Sequence, residues 1–210
     1  MSFDVTILEG KFLIQTARTA IDQFIRQGVK ITPPTNTPQK LLQKAGVFVT
    51  LNTFSEGVCH LRGCIGYAEP LFPLIEATIE SAISAAVKDP RFNPLQEEEI
   101  SDIIIEISIL TPPELISNSD ASNYEKIIRI GQDGLIIERA WKKGLLLPQV
   151  PIEWGWDVEE FLAQSCFKAG LSPDMWMVEG TRIFRFQAIV FQETEPSGTV
   201  VRRNLMENKD

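Results

Sequence analysis

The sequence predicts an α+β protein, with a largely antiparallel sheet packed with helices and two subdomains sharing one core. Three observations carry this expectation. Two pairs of strand-like runs are each joined by a short turn, within residues 46–62 and 135–147. Two β-branched runs stand alone, Ile103 to Leu110 and Arg182 to Gln192. Three long amphipathic helices fall among them without the regular strand–helix alternation of a parallel sheet.

The first helix covers Leu8 to Gln27. Leu13, Ala17, Ala20 and Phe24 fall on one face, and Lys11, Gln15, Arg18, Asp22 and Arg26 on the other, with Thr6 near the start and Gly28 after the end. Ile31 to Pro38 is extended, because its prolines disfavour helix and lack N–H donors. Gly46 to Thr53 alternates as a strand, Ser55-Glu56-Gly57 signals a turn, and Val58 to Arg62 returns as the second arm of a hairpin. After Tyr67, Leu71, Leu74, Ile75, Thr78, Ile79, Ala82, Ile83 and Ala86 form a helical stripe that stops at Asp89-Pro90.

Ile103 to Leu110 is too short and too closely followed by prolines for a helix, so it is expected as a buried strand. Leu135 to Ala140 and Gly144 to Leu147 form a second hairpin through Trp141-Lys142-Lys143. Asp157 to Ala169 is the third helix, with Gly170 as its C-terminal signal. Trp154 and Trp156 are expected in the core or at a lobe interface. Arg182 to Gln192 closes the pattern as a long strand, and 194–210 is a polar tail expected to fray.

Two hundred and ten residues fit one domain, or one domain with two lobes, spanning 1–210. A chain this long buries about 70% of its extended surface, so no metal or disulfide staple is needed. Hydrophobic residues make up 44% and charged residues 23%, which excludes collagen-like, coiled-coil and wholly disordered chains. The longest uncharged run, Ala45 to Ser55, is too short for a membrane span. The start lacks the basic residues and apolar core of a signal peptide, and three cysteines without such a signal point to the reducing cytoplasm.

Twenty basic against 28 acidic residues leave a net charge of −8, which opposes binding to a phosphate backbone. The densest basic clusters are Arg182/Arg185 and Arg202/Arg203. The absence of a CxxC pair argues against a four-ligand zinc site. Phosphate-loop, dinucleotide, serine-hydrolase and zinc-protease motifs are missing as well. The expected cofactors and metals are therefore none.

The segment that departs from plain core and surface is Leu61-Arg62-Gly63-Cys64-Ile65-Gly66. Its glycines permit a sharp turn or a close backbone approach. Cys64 is a candidate nucleophile, with Arg62 as anion clamp and thiolate stabiliser. From spacing alone, a small buried thiol filling a turn is the better fit. The single histidine, His60, lies four residues before Cys64, about 13 Å along an extended strand at ~3.3 Å per residue, so a Cys/His dyad is disfavoured. Cys59 is expected in the core. Glu106, in an otherwise apolar strand, needs a polar partner, and Arg62 is the candidate. Glu106 is then an orienting carboxylate or general base, or else a carboxylate on a wet strand face.

Seven ordered segments resemble the AMMECR domain family, named for a human chromosomal region linked to Alport syndrome, intellectual disability, midface hypoplasia and elliptocytosis. They are GVFVTL (Gly46 to Leu51), LRGCIGY (Leu61 to Tyr67), DPRFNPL (Asp89 to Leu95), IEISILTPP (Ile105 to Pro113), GQDGLIIERA (Gly131 to Ala140), GLLLPQVP (Gly144 to Pro151) and FKAGL (Phe167 to Leu171). The resemblance runs over about 8–192. It implies a larger subdomain built by both termini and a smaller one from the middle, about 112–150. It also implies a functional site at LRGCIG without assigned biochemistry, and a pathway link to Memo-like and radical-SAM proteins. The hairpin before the motif departs from the family by its longer connection, Asn52 to His60, which contains Cys59 and His60.

The function expected is an AMMECR-type protein with a site around LRGCIG, a Cys-dependent enzyme on a small molecule. The alternative is a non-enzymatic module in which the motif shapes a protein-binding surface. Cys64, Arg62 and Glu106 are the candidate catalytic residues, expected to line one concavity where the lobes meet. Leu61, Gly63, Ile65, Gly66 and Arg91 complete the candidate site.

Overall fold

The computed structural model describes residues 4–55, 58–116 and 123–203. It is an α+β protein whose chain divides into two units: one runs to Leu110 and takes back Ile189–Arg203, and the other is built from Thr111–Ala188.

In the first unit, helix α1 (Ile7–Gln27) opens with a capping box. The Thr6 hydroxyl accepts the Glu9 N–H, and the Glu9 carboxylate accepts the Thr6 N–H. It closes at Gly28, whose φ of 69° is in the left-handed region that glycine adopts without strain. Strands β1 (Gly46–Ser55), β2 (Val58–Tyr67) and β3 (Ile103–Leu110) form an antiparallel sheet in the order β2-β1-β3, with β2 at the edge. Alternate residues point to opposite faces. Val47, Val49, Leu51, Ile105, Ile107 and Ile109 join α1 and helix α2 (Leu74–Val87) in one buried cluster. Full burial of each such side chain contributes about 1.5–3 kcal/mol.

Four features of this unit differ from the sequence expectation. The LRGCIG segment is not a turn: β2 runs through it to Tyr67, so the second arm of the hairpin is twice as long as the alternation alone suggested. Helix α2 starts at Leu74 rather than Leu71, because Pro73 forms its N-cap and leaves Leu71 and Phe72 exposed. Arg18, on the polar stripe of α1, is largely buried: Nε and Nη2 donate to Glu193 at 2.9 and 2.5 Å, with further donations to the Ile100 and Ile103 carbonyls. Part of the tail read as frayed is strand β8 (Val200–Arg203), paired with strand β7 (Arg182–Glu193) from Val190 to Glu193. Residues 204–210, and Glu56 and Gly57 of the expected hairpin turn, lie outside the described residues.

In the second unit, the first part of β7 pairs on one side with β4 (Glu114–Ile116) and on the other with β5 (Asp133–Arg139), which continues to β6 (Lys142–Leu146). Helices α3 (Tyr124–Ile127), α4 (Val150–Trp154) and α5 (Val158–Lys168) complete it. Its core joins Ile116, Tyr124, Leu135, Ile137, Phe161, Leu162, Cys166 and Ile183. The hairpin turn is Ala140-Trp141, starting one residue earlier and one residue shorter than expected, with Arg139 paired to Lys142. Trp154, expected in the core or at a lobe interface, is exposed, while Trp156 packs against this core. Among the described residues no helix is long and apolar enough to cross a membrane.

Candidate functional site

Cys64 faces Thr50 across the β2–β1 ladder, and Thr50 faces Glu106 across the β1–β3 ladder. Directly opposed residues project to the same face. The three therefore form one row on the sheet face opposite α1 and α2. The Thr50 hydroxyl donates to Cys64 Sγ at 3.3 Å. Two residues along β3, Ser108 shares this face, opposite Phe48, which in turn opposes Gly66.

A bulge separates Arg62 from this row. The β1–β2 register shifts between Leu51 and Asn52: Leu51 opposes Gly63, Asn52 opposes Leu61, and Arg62 is the extra residue. An extra residue breaks the alternation and re-aims the side chain. Arg62 accordingly meets Glu99, with Nε and Nη2 at 2.8 and 2.9 Å from its carboxylate, while Nη1 donates to the Asn93 carbonyl at 3.0 Å. This corrects the expected Arg62–Glu106 pair. The Arg62 guanidinium, with the Gln96 N–H, holds the Glu99 carboxyl below its ordinary range. Glu106 is buried and pairs instead with Arg203 of β8, whose Nη1 lies 2.6 Å from Oε2.

The segment after α2 returns along the open edge of β2. Asp89 Oδ2 accepts the Cys64 N–H at 2.8 Å and the Arg91 Nη2–H at 2.7 Å, and Oδ1 accepts the Arg91 Nε–H and N–H. The Arg91 guanidinium is the first cause lowering the Asp89 carboxyl to about 2, helped by the Cys64 and Arg91 main-chain N–H groups and opposed by burial. The Phe92 ring lies 6.0 Å from the Arg62 guanidinium and 5.5 Å from that of Arg91.

Burial pushes the Cys64 thiol up from its ordinary value. The Thr50 hydrogen bond and the Arg91 charge act against that rise, while Glu106 and Asp89 add to it. The resting group at neutral pH is therefore a thiol. Arg62, engaged by Glu99, does not serve as its stabiliser.

The glycines of the motif have packing reasons. A Cβ on Gly63 would lie 2.1 Å from the Ala85 carbonyl oxygen of α2, and one on Gly66 would lie 2.2 Å from the Val47 oxygen. Ile65 packs against the core, and Leu61 is exposed. Cys59, expected in the core, is exposed because it lies on the outer part of the β1–β2 hairpin, opposite Phe54. Among the described residues no three His, Cys, Asp or Glu side chains converge as metal ligands would.

Sequence reasoning missed Thr50, Ser108, Glu99 and Arg203, and treated Asp89 chiefly as a helix stop. Ser108 carried a readable signal: two polar residues two apart in IIIEISIL share a strand face.

These features define a two-unit α+β protein with a bulged, cysteine-bearing edge strand that is held by the segment following α2. The chain belongs to the AMMECR1 family, whose model matches residues 14–191. It is 55% identical over 198 residues to a protein of Thermococcus onnurineus, covering 94% of this chain and 96% of that one. Protein MJ0810 of Methanocaldococcus jannaschii is 52% identical over 202 residues, covering 96% and 98% of the two chains. The crystal structure of Uncharacterized Protein PH0010 from Pyrococcus horikoshii superposes with a TM-score of 0.88 at 48% sequence identity, covering 95% of this chain and 98% of that one.

Proposed function

We propose that the face of β2-β1-β3 bearing Cys64, Thr50, Glu106 and Ser108 is a binding site for a small polar molecule, with the Cys64 thiol as its reactive contact. The observation that carries this reading is the Ser108 hydroxyl, which is buried and has no hydrogen-bond partner among the described residues. An unsatisfied buried hydroxyl costs about 1–3 kcal/mol, and a bound molecule that pairs with it recovers that cost. The half-exposed Cys64 and Thr50 give the row its open end. Glu106 orients the bound molecule, and Arg62 braces the edge strand rather than clamping an anion.

The charges nearby compensate one another: Asp89 with Arg91, Glu106 with Arg203, and Glu99 with Arg62. Burying a net charge in such a lining is costly, which favours an uncharged ligand. The basic clusters are also engaged. Arg182 meets Glu138, Arg185 meets Glu114, and Arg202 meets Asp4, leaving little positive surface for nucleic acid.

The test is Ser108→Ala. If the hydroxyl is reserved for a ligand, the variant melts at a higher temperature than the parent. A lower melting temperature, as for a hydroxyl already paired within the fold, overturns the reading. A second reading, the protein-binding module, is favoured by exposed Phe54, Val58 and Leu61 on the outer hairpin of the edge strand. Loss of partner capture on replacing Val58 and Leu61 by Lys would support it.

A further inference from the structure

We infer that Asp89 and Arg91 are positioning residues for Cys64: their segment straps the open edge of β2, with Asp89 pinning the Cys64 main chain and holding the Arg91 guanidinium on the same carboxylate. The inference rests on the proposed site for its purpose, but its geometry stands independently of any ligand. An edge strand leaves alternate N–H groups without a neighbouring strand. At Cys64 that place is taken by a carboxylate, Asp89 Oδ2, at 2.8 Å. The same carboxylate holds Arg91 through two side-chain donors and its main-chain N–H, so one short segment fixes both a backbone position and a charge.

The pin is stiff for local reasons. Asp89 is buried, Pro90 restricts the chain immediately after it, and the Phe92 N–H returns to the Asp89 carbonyl at 3.1 Å. Phe92 lies beside both guanidiniums, which connects the strap to Arg62, the bulge residue two positions before Cys64. A bulged strand is free to re-aim its side chains. Anchors on both sides of Gly63 remove that freedom at the cysteine.

The charged groups that act on the thiol are Glu106 from β3 and Asp89 and Arg91 from the strap, with the Thr50 hydroxyl from β1. Arg91 is the cation of this set, and Asp89 is what keeps it there. Loss of Arg91 therefore makes the thiolate harder to form, whereas loss of the Asp89 charge frees Arg91 but also removes a carboxylate that itself raises the thiol. A purely mechanical strap predicts a change in melting temperature without a change in thiol acidity.

The experiment is the pH dependence of iodoacetamide labelling at Cys64 in the full chain, read by peptide mass spectrometry with exposed Cys59 as the reference thiol. Arg91→Met is expected to move the profile to higher pH by about half to one unit, a loss of roughly 3–10-fold in rate at fixed pH. Arg91→Lys keeps the charge and is expected to retain most of the parent profile. Asp89→Asn, which preserves an acceptor for the Cys64 N–H but releases Arg91 and removes a carboxylate that itself raises the thiol, should shift the profile less than Arg91→Met. Should Asp89→Asn fail to fold, the half-exposed Arg91 provides the decisive pair of variants. Parent-like profiles in folded Arg91→Met overturn the inference. That outcome is separable from failure of the proposed site, which the Ser108→Ala melt reads.

Discussion

Arg203 Nη1 lies 2.6 Å from Glu106 Oε2, joining the last strand of the first unit to the middle of its sheet. The two partners are unequal: the Glu106 side chain is 7% exposed and that of Arg203 36%. Removing the exposed partner leaves a buried carboxylate without a counter-ion, whereas removing the buried charge frees Arg203 to reach water. Arg203→Met should therefore destabilise by about 3 kcal/mol, and Glu106→Gln by about 1 kcal/mol. Urea unfolding of both variants and their double mutant measures the asymmetry; equal losses would contradict it.

Arg18 and Glu193 make a second test of the same physics. Glu193 is buried and also accepts the Ile105 N–H at 2.8 Å, so it fixes β3 as well as α1. Arg18→Met should cost about 3–5 kcal/mol, well above the loss of the solvent-screened Arg26–Asp22 pair, which should leave the unfolding midpoint nearly unchanged. Chemical denaturation ranks the two.

Much of this first unit was legible because its elements announce themselves locally. Thr6, Glu9 and Gly28 mark the ends of α1, and IIIEISIL has no other good solution than a buried strand. The site was less legible because its pairings are distant in sequence. Glu106 and Arg203 are 97 residues apart, and Arg62 and Glu99 are 37 apart. No local pattern reports a bulge, so Arg62 read as a neighbour of Cys64 on one face. Strand β8 escaped because VVRR is only four residues long and sits in a polar tail.

The Asp89 carboxyl predicts an acid limb in stability. Its folded-state pKa, about 2, lies below the ordinary 3.8. For a depressed carboxylate, the stabilisation is present above the unfolded value and is lost as pH falls through the folded one. The stability difference between parent and Asp89→Asn should thus shrink from about pH 5 to pH 2. A pH-independent difference would show that the charged form contributes nothing.

The cysteines should separate by alkylation and by alkaline stability. Cys59 is exposed, Cys64 half-buried and Cys166 buried, so labelling should proceed in that order, with Cys166 reacting only on unfolding. Burial pushes the Cys166 thiol up to about 11 from 9.0. A raised thiol stabilises the fold below its unfolded pKa, and that contribution disappears as pH rises through the folded one. Cys166→Val should flatten the decline in melting temperature between about pH 9 and 11, and an unchanged slope would place the decline elsewhere.

The glycines of the edge strand give the last prediction, through the difference between space and conformation. At Gly28 nothing lies within 4 Å of an added Cβ, and the positive φ of 69° is the sole obstacle. Gly28→Ala should therefore cost about 1 kcal/mol, the conformational penalty alone. At Gly63 the obstacle is the backbone of α2, with the Ala85 carbonyl oxygen 2.1 Å from the new atom. A main-chain oxygen has no rotamer to move into, so strand and helix must separate. Overpacking of this kind costs about 1–3 kcal/mol or more. Because Cys64 follows directly, the shift should also loosen its N–H bond to Asp89. Gly63→Ala is expected to unfold at lower denaturant than Gly28→Ala and to speed hydrogen exchange at the Cys64 amide, whereas Gly28→Ala leaves that amide protected. If the two variants were equally stable, close packing of β2 on α2 would not be the reason for glycine at position 63.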